Sequence, residues 1–232
     1  MKIGILQTGQ APEPLRATPG DYPVLFERLL DGQGFTFRSW LVEAMEFPAS
    51  ILDADGWLIT GSRHGAYEDH PFIPPLEQFV RDALAAHLPV VGICFGHQIM
   101  AQALGGKVEK FAGGWAVGAQ EYDFGGRSLT LNAWHQDQVI TPPDGAQTLA
   151  RNDFCAHAAL GYGANGFSVQ AHPEFGDDFI AGLIETRGRG LVPAHLLDEA
   201  QAHLGAARDA DVVARMIGAH FRQAAEAGTE PS

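Results

Sequence analysis

Short apolar runs alternate with helix-patterned segments through the first half of the chain, and this alternation limits the folds that the chain can adopt. Each apolar run has the length of one buried strand. The predicted strands cover residues 2–7, 35–42, 56–60 and 89–93. The predicted helices cover residues 22–30, with Asp21 as the N-cap, 76–87 and 96–104. Strands that alternate with helices are typical of α/β folds with a mostly parallel sheet.

The pattern changes in the second half of the chain. Residues 114–170 contain short strand-like segments separated by Gly, Asn and Pro-Pro turns, which predicts an antiparallel annex to the sheet. Residues 177–185 and 193–227 are rich in alanine and predict extra C-terminal helices.

The chain has neither an internal repeat nor a low-complexity linker that would divide it. We therefore predict a single domain over residues 1–232. Its core is expected at about 1–186, followed by a helical C-terminal extension at about 191–227. The last residues, 228–232, are predicted to fray.

Composition excludes several classes of partner. The formal net charge is −13, and no cluster of lysine and arginine is present, so a nucleic-acid partner is not expected. The two cysteines are far apart in sequence, which predicts no disulfide framework and a reducing compartment. No apolar run is long enough for a membrane span or a signal peptide, so we predict a soluble cytoplasmic protein without a membrane partner.

The run Gly92–Gly96 (GICFG) has the form G-x-C-x-G between a predicted strand and a predicted helix. This is the cysteine version of a nucleophile elbow. The turn is too tight for side chains at the two glycine positions, and it exposes the side chain of the central residue. The helix N-terminus beneath Cys94 favours its thiolate. The alternative is that Cys94 is a small buried hydrophobe, but the two glycines argue against it. Cys155 lacks such a context and is predicted to be a packing residue.

A nucleophilic cysteine requires a base, and the base requires a group that orients it. His172-Pro173-Glu174 supplies both residue types just after a strand-like segment. His-x-Glu also begins the signature of zinc deaminases, but no later Pro-Cys-x-x-Cys is present, so we predict no metal in this motif. Alone, the motif fits a surface turn equally well. Together with the elbow, it predicts His172 as the base and Glu174 as its orienting group.

Four segments together resemble the class I (triad-type) glutamine amidotransferases. They are Gly92–Gln98 (GICFGHQ), Ala171–Phe175 (AHPEF), Thr60–Arg63 (TGSR) and Trp134–Asp137 (WHQD). Their order agrees with that family from Ile3 to about Phe175. The loop Gly61–Tyr67 (GSRHGAY) and the fourth segment are most similar to the stand-alone subgroup related to the glutaminase of GMP synthases, which includes γ-glutamyl peptidases. The resemblance implies an open, mostly parallel, flavodoxin-like sheet flanked by helices.

The resemblance also implies a reaction. The Cys94 thiolate would attack the γ-carbonyl of a glutamine-like amide, His172 would transfer protons, and Glu174 would hold the tautomer of His172. The oxyanion would be stabilised by backbone N–H groups near Gly61 and Ser62 and by that of Phe95.

The amino-acid end of the substrate would, by the same resemblance, be held by Gln98 and by the backbone around Gln136 and Asp137. An ordinary polar position on a helix is the alternative for Gln98. Trp115 and Trp134 either line a substrate cleft or have an ordinary place in the core or at its rim. No cofactor and no metal ion are predicted for this chain.

Three functions remain open. The first is hydrolysis of the γ-amide of glutamine or of a γ-glutamyl compound through a γ-glutamyl thioester. The second is a glutaminase subunit that passes ammonia to a separate synthetase as its partner. The third is an inactive binding module, which the complete set of Cys94, His172 and Glu174 disfavours. The loop at Ser62-Arg63 lacks the Gly-Pro pair of the biosynthetic subunits, which leaves the acceptor of the ammonia open.

Overall fold

The computed structural model describes residues 1–227, which form a layered α/β structure. The strands are β1 Lys2–Gln7, β2 Thr36–Leu41, β3 Gly56–Ile59, β4 Val90–Ile93, β5 Lys107–Lys110, β6 Ala116–Phe124, β7 Arg127–His135, β8 Asp137–Thr141, β9 Gln147–Ala150, β10 Ala159–Tyr162 and β11 Gly166–Val169. The helices are α1 Glu13–Leu15, α2 Tyr22–Leu29, α3 Ile73–Ala85, α4 Phe95–Ala103, α5 Asp177–Leu183, α6 Ala194–Ala202 and α7 Ala210–Ala227. The predicted fraying of residues 228–232 concerns residues outside those described.

The main sheet has seven strands in the order β2-β1-β3-β4-β11-β10-β9. The first five strands in this order are parallel to one another, whereas β10 is antiparallel to both β11 and β9. Two further antiparallel pairs, β5 with β8 and β6 with β7, lie outside this sheet. The predicted fold class is therefore confirmed, with the strand order of a flavodoxin-like sheet.

The predicted antiparallel annex is correct for only part of residues 114–170. Strand β11 lies beside β4 in the middle of the main sheet and is parallel to it. All four of its residues are buried, as expected for a strand covered on both faces. Its neighbours β10 and β9 extend the main sheet as antiparallel strands.

Helix boundaries differ from the predicted ones at positions where proline or glycine determines the start or the end of a helix. Helix α3 begins at Ile73, three residues before the predicted start, because Pro74 and Pro75 occupy its first turn, where a missing N–H costs nothing. The predicted helical segment 193–227 is divided into α6 and α7. Gly205, with a φ of 84°, lies in the connection between them. Asp21 caps α2 as predicted, since its side chain accepts a hydrogen bond from the Tyr22 N–H.

Helices cover both faces of the main sheet. On one face, α2 and α7 pack against the strands in a buried cluster that includes Ile5, Phe26 and Ile217. On the other face, α3 and α4 pack in a second cluster that includes Ile59, Val80 and Ile99. Within residues 1–227, none of the helices combines the length and the apolar character that a bilayer crossing needs.

Helix α7 belongs to the core rather than lying beside it. Phe221 is fully buried, and its ring meets Phe35 edge to face at 5.8 Å. It also lies against Gly56 of β3, where an added Cβ would approach the Phe221 ring to 3.0 Å. We therefore propose that the C-terminal helices fold with the sheet as one domain.

This proposal predicts a large effect of Phe221→Ala. Deleting a buried aromatic ring should lower the free energy of unfolding by about 3–5 kcal/mol. The matched control is Arg215→Ala on the same helix, whose side chain is 66% exposed, and it should change stability by less than about 0.5 kcal/mol. Urea denaturation of both variants measures the difference. Equal stabilities would show that α7 is not part of the cooperative unit.

Candidate active site

Cys94 lies at the carboxyl end of β4, in the turn that leads directly into α4. Its backbone has φ 54° and ψ −101°, a conformation that is costly for a residue with a side chain. Two hydrogen bonds maintain the turn: the Cys94 N–H donates to the Val169 carbonyl (2.9 Å) and the Gly96 N–H donates to the Thr60 carbonyl (3.1 Å). The predicted strand-to-helix elbow is thus present, with Cys94 at its tip.

The two glycines of the elbow are required by close backbone contacts. A Cβ on Gly92 would lie 2.3 Å from the Gly96 carbonyl oxygen, and one on Gly96 would lie 2.3 Å from the Ile59 carbonyl oxygen. Neither backbone oxygen can move without displacing a strand or a helix. Any larger residue at either position would therefore separate α4 from the sheet.

His172 follows β11, the strand next to β4, and is buried. Its Nδ1–H donates to Glu174 Oε1 at 2.7 Å, so Nε2 is left for the thiol. The His172 ring stacks on Phe175 with 3.9 Å between ring centroids and an interplanar angle of 5°. Its backbone N–H donates to the Asn132 carbonyl at 2.8 Å. These contacts fix the position and the tautomer of the imidazole.

The charge state of His172 follows from its neighbours. Burial by itself lowers the pKa of His172, but the carboxylate of Glu174 and the thiolate of Cys94 together outweigh burial and raise this pKa to about 10. The imidazolium form of His172 is therefore favoured at neutral pH. This arrangement places the Cys94 thiol beside an imidazole that is able to donate a proton.

The peptide between Gly61 and Ser62 is oriented by two threonines. The Gly61 carbonyl accepts hydrogen bonds from the hydroxyls of Thr8 (3.1 Å) and Thr60 (3.0 Å). Since the N–H of a trans peptide points opposite to its carbonyl, the Ser62 N–H points away from these threonines. Within residues 1–227, neither this N–H nor that of Phe95 donates to any protein group.

These groups meet around Gly61. A Cβ placed on Gly61 would lie 2.9 Å from His172 Cε1 and 3.7 Å from Cys94 Cβ. The thiol, the imidazole and the free N–H groups are therefore close together at the carboxyl ends of β3, β4 and β11. This is the edge at which open α/β sheets bind ligands.

A cavity of about 240 Å³ opens above Cys94. It is lined by both tryptophans that the sequence singled out, Trp115 and Trp134. The other apolar and aromatic residues of its wall include Tyr22, Phe175, Leu183 and Leu191. Its charged residues include Lys110 and Arg187.

The predicted substrate residues all lie on this cavity, but their side chains differ in availability. Gln98 is buried, and its Nε2 donates to the Asp137 carbonyl (2.9 Å) and to Gln170 Oε1 (3.2 Å). Its amide group therefore positions the chain at Asp137. Asp137 Oδ1 accepts from the Tyr67 hydroxyl (3.3 Å), and burial is the main reason why the pKa of Asp137 is raised.

Several residues of the site were missed by reasoning from the sequence. Thr8 follows β1, Asn132 is on β7, and Arg187 lies beyond α5, so none of them is near a recognisable motif. Thr8 directly follows a predicted strand, and a polar residue at the carboxyl end of a parallel strand is often part of a binding site, so this position could have indicated its role. Asn132 and Arg187 had no such signal.

Comparison with known proteins relates this geometry to a family. The family described as glutamine amidotransferase class-I matches residues 40–178. A Schizosaccharomyces pombe protein named as glutamine amidotransferase-like is 31% identical over 154 residues, which are 62% of this chain and 62% of that protein. Gamma-glutamyl peptidase 4 of Arabidopsis thaliana is 30% identical over 78% of this chain and 77% of its own length. A glutamine-hydrolyzing GMP synthase subunit of Halobacterium salinarum is 32% identical over 55% of this chain and 70% of its own length.

Solved structures support the same fold. The crystal structure of a glutamine amidotransferase from Methylobacillus flagellatus superposes with a TM-score of 0.72 at 20% identity, covering 100% of this chain and 96% of that one. The chain belongs to the class I glutamine amidotransferase family.

The two cysteines should differ sharply in their reaction with iodoacetamide. They are similarly inaccessible, with 5% of Cys94 and 2% of Cys155 exposed, so exposure does not separate them. Cys94 borders the cavity beside His172, whereas burial raises the pKa of the Cys155 thiol to about 12. Near pH 7, Cys94 should be alkylated at least about a hundredfold faster. Labelling of Cys155 should increase only as the pH rises toward 12.

Peptide mass spectrometry over time measures both alkylation rates in one sample. The Cys94→Ala variant is the control, and it should show the slow reaction alone. Faster labelling of Cys155 than of Cys94 would count against an activated thiol at the elbow.

Proposed function

We propose that this chain is a cysteine-nucleophile amidohydrolase that cleaves the γ-amide of glutamine or of a γ-glutamyl compound. The observation that carries the proposal is the convergence of Cys94 with the His172–Glu174 pair at the carboxyl ends of adjacent strands. Membership of the class I glutamine amidotransferase family agrees with this chemistry.

In the proposed reaction, the Cys94 thiolate attacks the γ-carbonyl carbon, and the carbonyl oxygen becomes an oxyanion. The free N–H groups of Ser62 and Phe95 stabilise this oxyanion, with Gly61 shaping the loop; each such donor is worth about 3 kcal/mol. The His172 imidazolium then protonates the leaving nitrogen, and the amine departs as the γ-glutamyl thioester forms. Neutral His172 next removes a proton from water, whose attack on the thioester yields the γ-carboxylate and restores the Cys94 thiolate.

The part of the cavity wall next to His172 indicates which kind of leaving group the site accepts. The nitrogen of the leaving group must lie within reach of His172. The rest of the leaving group therefore lies along the residues that line the cavity beyond the His172 ring. Phe175 stacks on His172, and Tyr22 stacks on Phe175 with 6.2 Å between ring centroids. Arg187 follows, with Nη1 donating to the Tyr22 hydroxyl at 3.4 Å. The wall is therefore aromatic near the base and cationic at its outer end.

Arg187 is suited to a carboxylate. Its Nη2 donates to the Gln10 carbonyl at 2.8 Å, but no carboxylate among the described residues lies within ion-pair distance of it. A guanidinium without a carboxylate partner at the edge of a cavity can pair with the carboxylate of a ligand. These contacts support a γ-glutamyl compound whose leaving group is an amino acid or peptide, rather than ammonia alone.

A second function keeps the same chemistry but requires a partner. The relatives named as glutamine-hydrolyzing subunits of GMP synthase favour a glutaminase that supplies ammonia to a separate synthetase. A glutaminase of that kind would need no cationic wall for a larger leaving group. The two functions therefore differ in which substrate the isolated chain hydrolyses.

The first test is an assay of the purified chain with glutamine and with γ-glutamyl dipeptides, in which ammonia or amino-acid release is recorded. Cys94→Ala should lower kcat/KM by at least about 10⁴-fold, since the covalent intermediate can no longer form. The matched control, Cys155→Ala, should leave the rate nearly unchanged.

Two outcomes would redirect the proposal. Near-normal turnover by Cys94→Ala would exclude the thioester mechanism. Turnover that appears only after a synthetase is added would support the partner-dependent glutaminase.

The second test concerns Arg187. Arg187→Gln should lower kcat/KM for γ-glutamyl-phenylalanine by at least about tenfold relative to that for glutamine, because a hydrogen bond to a charged group is lost. The matched control is Arg189→Gln, since Arg189 lies two residues away and pairs with Glu185 on the surface. Equal losses for both substrates would contradict a role of Arg187 toward the leaving group.

A further inference from the structure

A cluster of two histidines and one glutamate lies in the loop between β3 and α3. Its members are His64, Glu68 and His70, and one ligand atom from each lies within 4.8 Å of the other two. None of them takes part in the proposed acyl transfer. We call these three residues the His-Glu-His cluster.

The distances within the cluster are close to those of a metal site. Glu68 Oε2 lies 3.7 Å from His64 Nδ1 and 2.8 Å from His70 Nε2. Ligands about 2.0–2.2 Å from a tetrahedral zinc ion are separated from one another by about 3.3–3.6 Å. The two observed distances lie on either side of this range, and the ligand atoms of His64 and His70 lie within 4.8 Å of each other. Side-chain adjustments of up to about 1.5 Å would therefore bring all three ligands onto one ion.

A fourth residue orients one of the ligands. Glu43 Oε1 accepts a hydrogen bond from His64 Nε2–H at 2.9 Å, which leaves Nδ1 unprotonated on the side that faces Glu68. The His64 side chain is only 15% exposed, so this tautomer is held in a largely buried ring. A carboxylate behind a ligating histidine is the usual outer-shell partner in zinc sites.

The cluster borders the cavity above Cys94. His64 and Glu68 both line that cavity, and His64 is two residues from Ser62, whose N–H is free. Three protein ligands would leave one coordination position of an ion for water or for a ligand.

We propose that His64, Glu68 and His70 bind one Zn²⁺ ion per chain, with Glu43 as the residue that orients His64. Two imidazoles and one carboxylate are a donor set that suits zinc. Each ligating nitrogen must be unprotonated, so the affinity should fall as the solution becomes acidic. The ion has no part in the proposed thioester chemistry. The zinc site is therefore proposed independently of the proposed function.

The test is calorimetric titration of Zn²⁺ into the full chain carrying Cys94→Ala, so that zinc cannot bind at the nucleophile. One ion per chain should bind. Adding His64→Gln or His70→Gln should lower the affinity at least about a hundredfold, and adding Glu43→Gln should lower it about tenfold. Co²⁺ in place of Zn²⁺ should show the visible absorption of a four- or five-coordinate site, which His70→Gln should abolish.

The matched control is His195→Gln, because His195 is an exposed histidine on α6 outside the cluster. It should leave the affinity for Zn²⁺ unchanged. Circular dichroism and the melting temperature verify that each variant is folded. The proposal is overturned if no stoichiometric binding occurs, or if folded His70→Gln binds Zn²⁺ as tightly as its parent.

Discussion

The contact between the first turn of α4 and the ends of β3 and β4 is the constraint on which the candidate active site depends. Gly96 lies so close to β3 that its N–H bonds to the Thr60 carbonyl and an added Cβ would collide with the Ile59 carbonyl. With the helix this close, the chain can pass from strand to helix within a single residue. That residue, Cys94, accepts a strained backbone because the elements on both sides determine its position.

The parallel sheet assembles the remaining groups around this turn. Strands β3, β4 and β11 are neighbours and run in the same direction, so the residues that follow them emerge at one edge. One strand is followed by the Gly61–Ser62 peptide, the next by the thiol, and the third by His172. Each group is held by backbone or buried hydrogen bonds, and such preorganisation allows fixed dipoles to stabilise charge without rearrangement.

The outer part of the cavity is made by different elements. Arg187 lies in the short π-helical segment Ile184–Gly188 that continues α5, and the two tryptophans lie at or near the paired strands β6 and β7. The inner site is thus built on the central sheet. The surfaces that would contact a leaving group come from outside this sheet, from Tyr22 on α2 and from later parts of the chain. Under the proposed function, variation in these outer elements would change the leaving group that fits without disturbing Cys94, because the elbow is held by the central strands and not by these elements.

The sequence by itself determined the alternating strands and helices, the G-x-C-x-G elbow and the His172-Pro173-Glu174 motif, because each depends on local spacing. Only the tertiary structure placed β11 beside β4 and α7 in the core, since strand order and helix packing depend on contacts between distant residues. The same holds for three hydrogen-bonded pairs: Thr8 with the Gly61 carbonyl, Arg187 with the Tyr22 hydroxyl, and His64 with Glu43. Such pairs are joined by side chains across the fold, and no periodicity or motif in a linear sequence records them.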